Sequence, residues 1–146
     1  MELWELAARE AIRETVAAYA HCADSGRFDE FSELFARDGV LEIHGQEPVT
    51  GRDAIRAYLG GVGTDLARDT TVPLIRHHVS NLRIEVVSPD DARGACYFLA
   101  VTEHGVDHWG RYRDRYAPDG DRWLFAHRFV RTDGTTPGGW AANRTS

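Results

Sequence analysis

Two adjacent histidines, His77 and His78, begin a strand-like run of the sequence, IRHHVSNLRIEVVS. An imidazole has an unperturbed pKa of about 6.5, so it is the side chain best suited to take up a proton at neutral pH. Successive side chains of a strand point to opposite faces, and Leu82, Ile84 and Val86 mark the apolar face. Strict alternation counted back from these residues places His78, rather than His77, on that face.

A carboxylate bonded to the second ring nitrogen would fix the tautomer of such a histidine and stabilise the imidazolium that forms. Asp24 is a candidate because it ends an amphipathic helix, where the helix dipole disfavours negative charge. The alternative interpretation is that Asp24 caps the next helix or shapes the turn at Ser25 and Gly26. Tyr19 lies about 140° around an ideal helix from Asp24, so both can border one opening, although a tyrosine on an apolar stripe is usually a core residue.

Other kinds of chemistry lack their motifs in this sequence. It contains no glycine-rich phosphate loop, no nucleophile elbow and no H-E-x-x-H. His104 and His108 are separated by Gly105, which indicates a turn rather than the helix face of a metal site. Cys22 and Cys96 lie far apart in the sequence, which indicates buried apolar residues rather than a disulfide or a zinc site. We therefore expect general acid–base chemistry with no cofactor and no metal.

Length and charge restrict the classes of partner. With 146 residues, 42% of them hydrophobic, the chain can form one domain with a sizeable core. The 17 basic and 23 acidic residues give a net charge of −6 without a basic cluster, so we expect no nucleic-acid and no membrane partner. The N-terminus MELWELAAREAIRE has neither a basic region nor a long apolar run, and we expect a cytoplasmic protein.

The elements that must position these residues follow from hydrophobic periodicity. Apolar side chains from Leu3 to Ala23 recur at three- and four-residue steps and predict a long helix. A short helix that ends at Asp38-Gly39 follows, then a short strand VLEIHG, a third helix GRDAIRAYLGG and a loop through residues 62 to 73. Four strand-like runs complete the pattern, which favours an α+β fold over βαβ alternation.

The C-terminal segment differs in composition from the rest. TDGTTPGGWAANRTS is too rich in glycine, threonine and small residues to extend the sheet, and Trp140 is its one large apolar anchor. We therefore expect a domain over residues 1–131 and a flexible tail over residues 132–146.

The segments YAHCAD, FDEFSELFARDGVLEI, RHHVSNLRIEVVS and GRYRDRY with DRWLFAHRFVR resemble, in order and spacing, the SnoaL-like family of the nuclear transport factor 2-like superfamily. The resemblance covers roughly residues 3–131. It implies a cone-shaped α+β barrel, in which a curved mixed sheet wraps around a long N-terminal helix, two further short helices are present, and a deep apolar pocket remains. The family includes polyketide cyclases, dehydratases and dehydrochlorinases, so the fold alone does not select an activity.

The resemblance also assigns residues. HHVSNLRIEVVSPDDARG is similar to the matching strand of hexachlorocyclohexane dehydrochlorinase, whose catalytic histidine stands four residues before the asparagine, and this position is His77. The aspartate of its dyad falls on Asp24 and its arginine of the last strand on Arg128. Its lysine falls on Tyr19, where a tyrosine is what a resemblance to bile-acid dehydratase implies. The dehalogenation activity of the dehydrochlorinase is therefore not expected for this chain. The second pocket histidine of scytalone dehydratase falls near Thr102, so that residue is not matched either.

Alternation and resemblance thus select different histidines. Both hold if the strand carries a one-residue bulge between His77 and Leu82, because a bulge reverses the facing of the residues before it. We predict that His77 points into the pocket, that His78 points away, and that the ladder is irregular near Val79 and Ser80.

The resulting hypothesis is a cofactor-independent lyase, a dehydratase or a related cyclase or isomerase, acting on a small cyclic or polycyclic apolar molecule. His77, oriented by Asp24, would remove a proton, Tyr19 would donate to an oxygen, and Arg128 would stabilise negative charge. The alternative is a non-catalytic ligand-binding or assembly module in which the Asp24–His77 contact is structural.

Six further residues are candidates for the pocket wall, although aromatic residues of a small domain are more often packing residues. They are Tyr58, Phe98, His108, Trp109, Tyr112 and Phe129. The resemblance also implies a homo-oligomer formed through the outer sheet face, and the alternating Arg111, Arg113 and Arg115 leave both a dimer and a trimer open.

Overall fold

The computed structural model describes residues 1–144. Its helices are α1 (Leu3–Asp24), α2 (Phe28–Glu33), α3 (Arg52–Asp69) and α4 (Trp140–Arg144). Its strands are β1 (Phe35–Ile43), β2 (Val49–Thr50), β3 (Ile75–Ser88), β4 (Asp91–Thr102), β5 (Gly105–Asp119) and β6 (Arg122–Thr135). None of the helices within this range is both long and apolar enough to cross a membrane.

The strands form one mixed sheet in the order β2-β1-β6-β5-β4-β3. Among the strands of residues 1–144, only the β1–β6 pair is parallel, and the other pairs are antiparallel. Within the described residues the edge strands β2 and β3 do not pair with each other, so the sheet is open rather than a closed barrel. Helix α1 contacts both β3 and β6, which places it against one face of the sheet. The predicted α+β fold with a long N-terminal helix is confirmed.

Helix α1 supplies the core face on which the sheet packs. Its buried side chains recur with helical spacing, as the periodicity predicted: Ala8, Ile12, Thr15, Val16, Tyr19, Ala20 and Cys22. The Thr15 hydroxyl donates to the backbone carbonyl of Trp123 in β6, so a polar side chain on this face is also satisfied. The helix ends at Asp24 and thereby carries that carboxylate to the first residues of β3.

Two boundaries near the first helices differ from the prediction. Helix α2 ends at Glu33, and Phe35 already pairs with Phe125 of β6, because the stripe of phenylalanines is continued by a strand that packs in the same core. Helix α3 continues through the predicted loop to Asp69. Gly63, which weakens the helical pattern locally, lies where an added Cβ would be 2.9 Å from the ring of Phe28, so packing against α2 explains the glycine.

Strand β3 contains the predicted bulge. Ser80 pairs with Tyr97 and Arg83 with Ala95, so Asn81 and Leu82 together oppose one residue of β4. Asn81 has φ +58°, the left-handed region that asparagine tolerates better than most residues. The irregularity lies at Asn81, one residue after the predicted Val79–Ser80 position.

The bulge reverses the facing of the residues that precede it. His77 and Val79 are half-buried, whereas His78 is exposed, and after the bulge Leu82 and Ile84 are half-buried in turn. His77 is therefore on the more buried face of the strand and His78 on the exposed face. The prediction that His78 points away from the pocket is not borne out, because both histidines border one cleft.

The C-terminal segment is more ordered than its composition indicated. Strand β6 continues past the predicted boundary at residue 131 to Thr135, and Gly134 lies where an added Cβ would be 2.4 Å from the Trp109 indole. The glycine content of this segment predicted against a strand, but Gly134 is the residue that leaves room for the Trp109 indole on β6. Helix α4 then contacts α3, with the Trp140 indole N–H donating to Asp69 at 3.3 Å. Residues 145–146 of the predicted tail lie outside the described residues.

Substituting Asn81 tests the bulge. Asn81→Val should lower the free energy of unfolding by about 1–2 kcal/mol, because a β-branched residue is strained at positive φ, whereas Asn81→Gly should be nearly neutral. Urea unfolding measures both. Ser80→Val, at an exposed and extended neighbouring position, is the matched control. Equal stability of the valine and glycine variants at position 81 would contradict the left-handed conformation.

Candidate active site

The end of α1 and the start of β3 bring Asp24 and His77 together. Asp24 Oδ1 lies 2.6 Å from His77 Nδ1, and Asp24 Oδ2 accepts a hydrogen bond from the His77 backbone N–H at 2.9 Å. The side chains are only 10% and 18% exposed, respectively. With both carboxylate oxygens engaged by one residue, Asp24 holds the ring and the backbone of His77. An ionised Asp24 places the ring hydrogen on Nδ1 and leaves Nε2 as the proton acceptor.

The local turn does not depend on the Asp24 carboxylate. The Ser25 hydroxyl donates to the His21 carbonyl, Gly26 adopts φ +72°, and α2 has no side-chain cap. The alternative interpretation, in which Asp24 caps α2 or shapes this turn, is therefore wrong. The carboxylate is directed across the domain to His77.

A cleft of about 530 Å³ opens beside this pair. Arg27 and Arg76 are part of its wall, so this opening is more polar than the apolar pocket that the resemblance implied. Its lining consists of Ala20, His21, Asp24, Ser25, Arg27, Arg76, His77 and His78. A larger cavity, of about 860 Å³, lies between the C-terminal end of α3, the β4–β5 turn and the chain from Thr136 to Arg144.

Tyr19 lies in the hydrophobic core and is not among the residues that line the cleft. Its ring packs 4.6 Å from that of Phe31 and 5.7 Å from that of Tyr112, between centroids. Burial raises the pKa of the Tyr19 phenol to about 12, although the positive charge of Arg128 opposes this effect. The phenol therefore keeps its proton at neutral pH and can donate a hydrogen bond there.

Arg128 is fully buried and forms an ion pair that the sequence analysis did not foresee. Its Nε donates to Asp114 Oδ1 at 2.8 Å and its Nη2 donates to Asp114 Oδ2 at 2.9 Å. The guanidinium carbon lies 3.7 Å from the ring centroid of Tyr112 and 4.2 Å from that of Tyr19. Burial alone would lower the pKa of Arg128, but the Asp114 carboxylate and its hydrogen bonds keep it above its ordinary value.

The third guanidinium nitrogen of Arg128 differs from the other two. Nη1 is buried, and no group among residues 1–144 accepts a hydrogen bond from it. Asp114 could have been recognised from its position, since it alternates with Tyr112 and Tyr116 on the inward face of β5. The Tyr116 hydroxyl completes this cluster by donating to Asp114 Oδ2 at 2.9 Å.

The residues predicted to form the pocket wall lie on both faces of the sheet. Phe98 and Tyr112 lie on the inner face, where their rings stack 4.7 Å apart in the buried core. Tyr58 is half-buried on α3, and its hydroxyl lies 3.5 Å from Gln46. Burial raises the pKa of the Tyr58 phenol.

Trp109 and Phe129 do not line the interior. Trp109 follows the inward-facing His108 and is 39% exposed, and Phe129 follows the inward-facing Arg128 and pairs with Arg113. Strand alternation turns both rings to the outer face of the sheet. The prediction that these two residues form the pocket wall is wrong for this reason.

His108 has a carboxylate partner of its own. Its Nδ1 lies 2.8 Å from Asp107 Oδ2, and its ring is 6.2 Å from that of His77, at an interplanar angle of 80°. Burial lowers the pKa of His108, and the Asp107 carboxylate opposes this effect. Asp107 was missed in the sequence because adjacent residues of a regular strand point to opposite faces.

The two cysteines and His127 lie apart from these pairs. Cys22 and Cys96 are buried and are not joined in a disulfide, as predicted. His127, which had no predicted partner, has its Nε2 2.9 Å from Glu42 Oε1. Both residues are about one-third exposed, so this contact is separate from the buried site.

Solved structures resemble this fold over most of its length. A protein from Novosphingobium aromaticivorans, provisionally named scytalone dehydratase, is 28% identical with a TM-score of 0.79, over 93% of this chain and 91% of that one. A protein from Catenulispora acidiphila in complex with S-DNPA is 26% identical with a TM-score of 0.71, over 94% and 95% of the two chains. LinA, 20% identical with a TM-score of 0.80 over 93% and 94%, is similar in fold alone.

Sequence comparisons agree with these structures. No curated protein sequence gives a significant match. The family model of the SnoaL-like domain, however, matches residues 4–129, which include Tyr19, Asp24, His77 and Arg128. The chain therefore belongs to the SnoaL-like domain family.

Proposed function

We propose that this protein is a cofactor-independent lyase, a dehydratase or a related cyclase or isomerase, that acts on a small cyclic or polycyclic apolar molecule. The observation that carries the proposal is the Asp24–His77 pair, with 2.6 Å between carboxylate and imidazole and a second bond of 2.9 Å to the backbone. A base needs a fixed orientation and a fixed tautomer, and these two contacts supply both.

The pair can carry a complete dehydration. His77 Nε2 takes a proton from a carbon next to an activating group, and Asp24 stabilises the imidazolium through Nδ1–H. The electron pair of the broken C–H bond forms a carbon–carbon double bond as the adjacent C–O bond breaks. The proton then passes from Nε2 to the departing oxygen, which leaves as water. His77 is neutral again, and no oxidant or reductant is needed.

Tyr19 is proposed to donate a hydrogen bond to the activating oxygen of the substrate. Burial raises the pKa of its phenol to about 12, so the phenol is protonated at neutral pH. Arg128 is proposed as a positioning residue, since its two bonds to Asp114 leave its guanidinium 4.2 Å from the centre of the Tyr19 ring. Its charge opposes the rise in the pKa of Tyr19 and thereby strengthens the phenol as a donor.

The relatives support a small-molecule function for this family fold. The Novosphingobium aromaticivorans protein carries a dehydratase name, and the Catenulispora acidiphila protein holds S-DNPA. Both are more than 25% identical to this chain over more than nine-tenths of its length.

One observation favours a second candidate function, that of a non-catalytic ligand-binding or assembly module. The rings of Phe98 and Tyr112 stack within the buried core, and Arg128 Nη1 is buried as well. In that case the contact between Asp24 and His77 would only hold α1 against β3. The kinetics of a His77→Gln variant distinguish the two functions.

Replacing His77 tests the lyase directly. A panel of small polycyclic hydroxy-ketones is incubated with the protein, and loss of water is followed by mass spectrometry and by absorbance of the new conjugated double bond. For a substrate that turns over, His77→Gln should lower kcat/KM by about 10²- to 10⁴-fold, the usual contribution of a positioned base. His127→Gln, whose contact with Glu42 is separate from the buried site, is the matched control. Unchanged turnover in His77→Gln would remove this residue from the mechanism.

Tyr19→Phe should lower kcat while leaving the fold intact, because the ring contacts are kept and only the donor is lost. Since burial places the pKa of Tyr19 at about 12, the ratio of wild-type to variant rates should stay constant from pH 7 to about pH 10. Rate profiles of both proteins over this range provide the measurement. A ratio that falls over this range would show that the phenol titrates earlier and does not act as this donor.

Removing one partner of the buried ion pair should destabilise the fold. Arg128→Met should lower the free energy of unfolding by about 3–5 kcal/mol, because the Asp114 carboxylate remains buried without its partner. The double variant Arg128→Met with Asp114→Leu should recover most of this loss, as urea unfolding would show. If the double variant is folded, its kcat reports the effect of the missing charge on Tyr19. A single variant as stable as the double variant would contradict the pairing.

A further inference from the structure

The carboxylate of Asp107 contacts three groups at once. It is 2% exposed, and its Oδ1 accepts the backbone N–H of Trp140 at 2.7 Å. Its Oδ2 accepts the backbone N–H of Ala141 at 3.1 Å and lies 2.8 Å from His108 Nδ1. The backbone carbonyl of Asp107 also accepts the N–H of Thr136 at 2.8 Å. One buried side chain thus joins the C-terminal segment to an imidazole.

A bulge in β5 makes this geometry possible. Ala100 pairs with His108 and Val101 with Val106, so Asp107 is an extra residue without a partner on β4. Adjacent side chains of a regular strand would point apart, and the bulge lets them lie side by side. Gly139 completes the arrangement, because an added Cβ there would be 2.7 Å from Asp107 Oδ1.

His108 lies beside the base of the proposed reaction. The ring centroids of His77 and His108 are 6.2 Å apart, and the His108 side chain is 13% exposed. A hydrogen bond spans about 2.8 Å between its heavy atoms, so two rings at this separation are close enough for one substrate to contact both. With Nδ1–H directed to Asp107, His108 offers Nε2 as an acceptor for a substrate hydroxyl.

We propose that Asp107 and His108 form a second His–Asp pair of the active site, whose orientation depends on the docking of residues 139–141 onto Asp107. This inference rests on the proposed function, because His108 would accept a hydrogen bond from the substrate hydroxyl that leaves as water while His77 transfers the proton. His108 therefore selects substrates that carry a hydroxyl group at the reacting position. Asp107 acts as a positioning residue.

The positioning role is tested without a substrate. The ¹⁵N chemical shifts of the imidazole nitrogens, assigned with His108→Gln, should show His108 in the single tautomer with hydrogen on Nδ1. Gly139→Ala places a methyl group 2.7 Å from Asp107 Oδ1 and should convert His108 to a mixture of tautomers. Gly61→Ala, which meets nothing within 4 Å, is the matched control. Should Gly139→Ala not fold, Asp107→Asn provides the same readout.

Two NMR results would overturn the inference. One is a wild-type His108 with hydrogen on Nε2, and the other is an unchanged tautomer in Gly139→Ala or Asp107→Asn. A residue that only anchored the C-terminal segment would alter stability in these variants and leave the tautomer of His108 unaffected.

Kinetics with a hydroxy-ketone from the panel completes the test. His108→Gln should raise KM by about 5- to 10-fold, the loss expected for one hydrogen bond, with a smaller effect on kcat than His77→Gln. Unchanged KM and kcat in His108→Gln, with turnover abolished in His77→Gln, would overturn the inference and leave the proposed function standing. Turnover that survives His77→Gln would overturn the proposed function, and the tautomer of His108 would then be judged by NMR alone.

Discussion

A β-strand shows its side chains alternately to its two faces, and the site depends on two places where this alternation is interrupted. At Asn81 the interruption turns His77 toward Asp24, and at Asp107 it sets a carboxylate beside His108. Regular strands at both positions would direct His77 outward and separate Asp107 from its imidazole. The two bulges therefore decide which titratable groups share the interior.

The second constraint is the ion pair buried in the core. Arg128 and Asp114 are both removed from solvent, and a buried ion pair is on average no more stable than apolar residues of the same volume. Stability therefore does not explain why the core contains them. What the pair does is hold a cation against the rings of Tyr19 and Tyr112, where it acts on the acidity of a phenol that burial would otherwise make a poorer donor.

Regular elements carry all of these groups. Tyr19 and Asp24 are on α1, His77 is on β3, and His108 is on β5. Side chains supported by helices and strands keep their relative positions better than side chains on loops, and the proposed proton transfer over hydrogen-bond distances needs such fixed positions. The C-terminal segment is the part of the chain that adds a contact from outside the sheet, through Asp107.

The sequence by itself determined the local features. The three- and four-residue periodicity from Leu3 to Ala23 was sufficient for α1, because burial of one helical face is a property of neighbouring residues. The residue types of the site, with Asp24 at the end of that helix, could likewise be read from the chain. Resemblance selects His77 over His78, whereas alternation alone places His78 on the inner face, where the structure has His77.

Only the tertiary structure decided which groups are partners. Asp24 and His77 are 53 residues apart, and Asp107 and Trp140 are 33 apart, so each contact follows from how the helices pack on the sheet. The same packing turned Trp109 and Phe129 outward and drew a glycine-rich segment into β6, where Gly134 accommodates the Trp109 ring. Local propensity is overridden in such places because the energy of packing depends on residues that are distant in the chain.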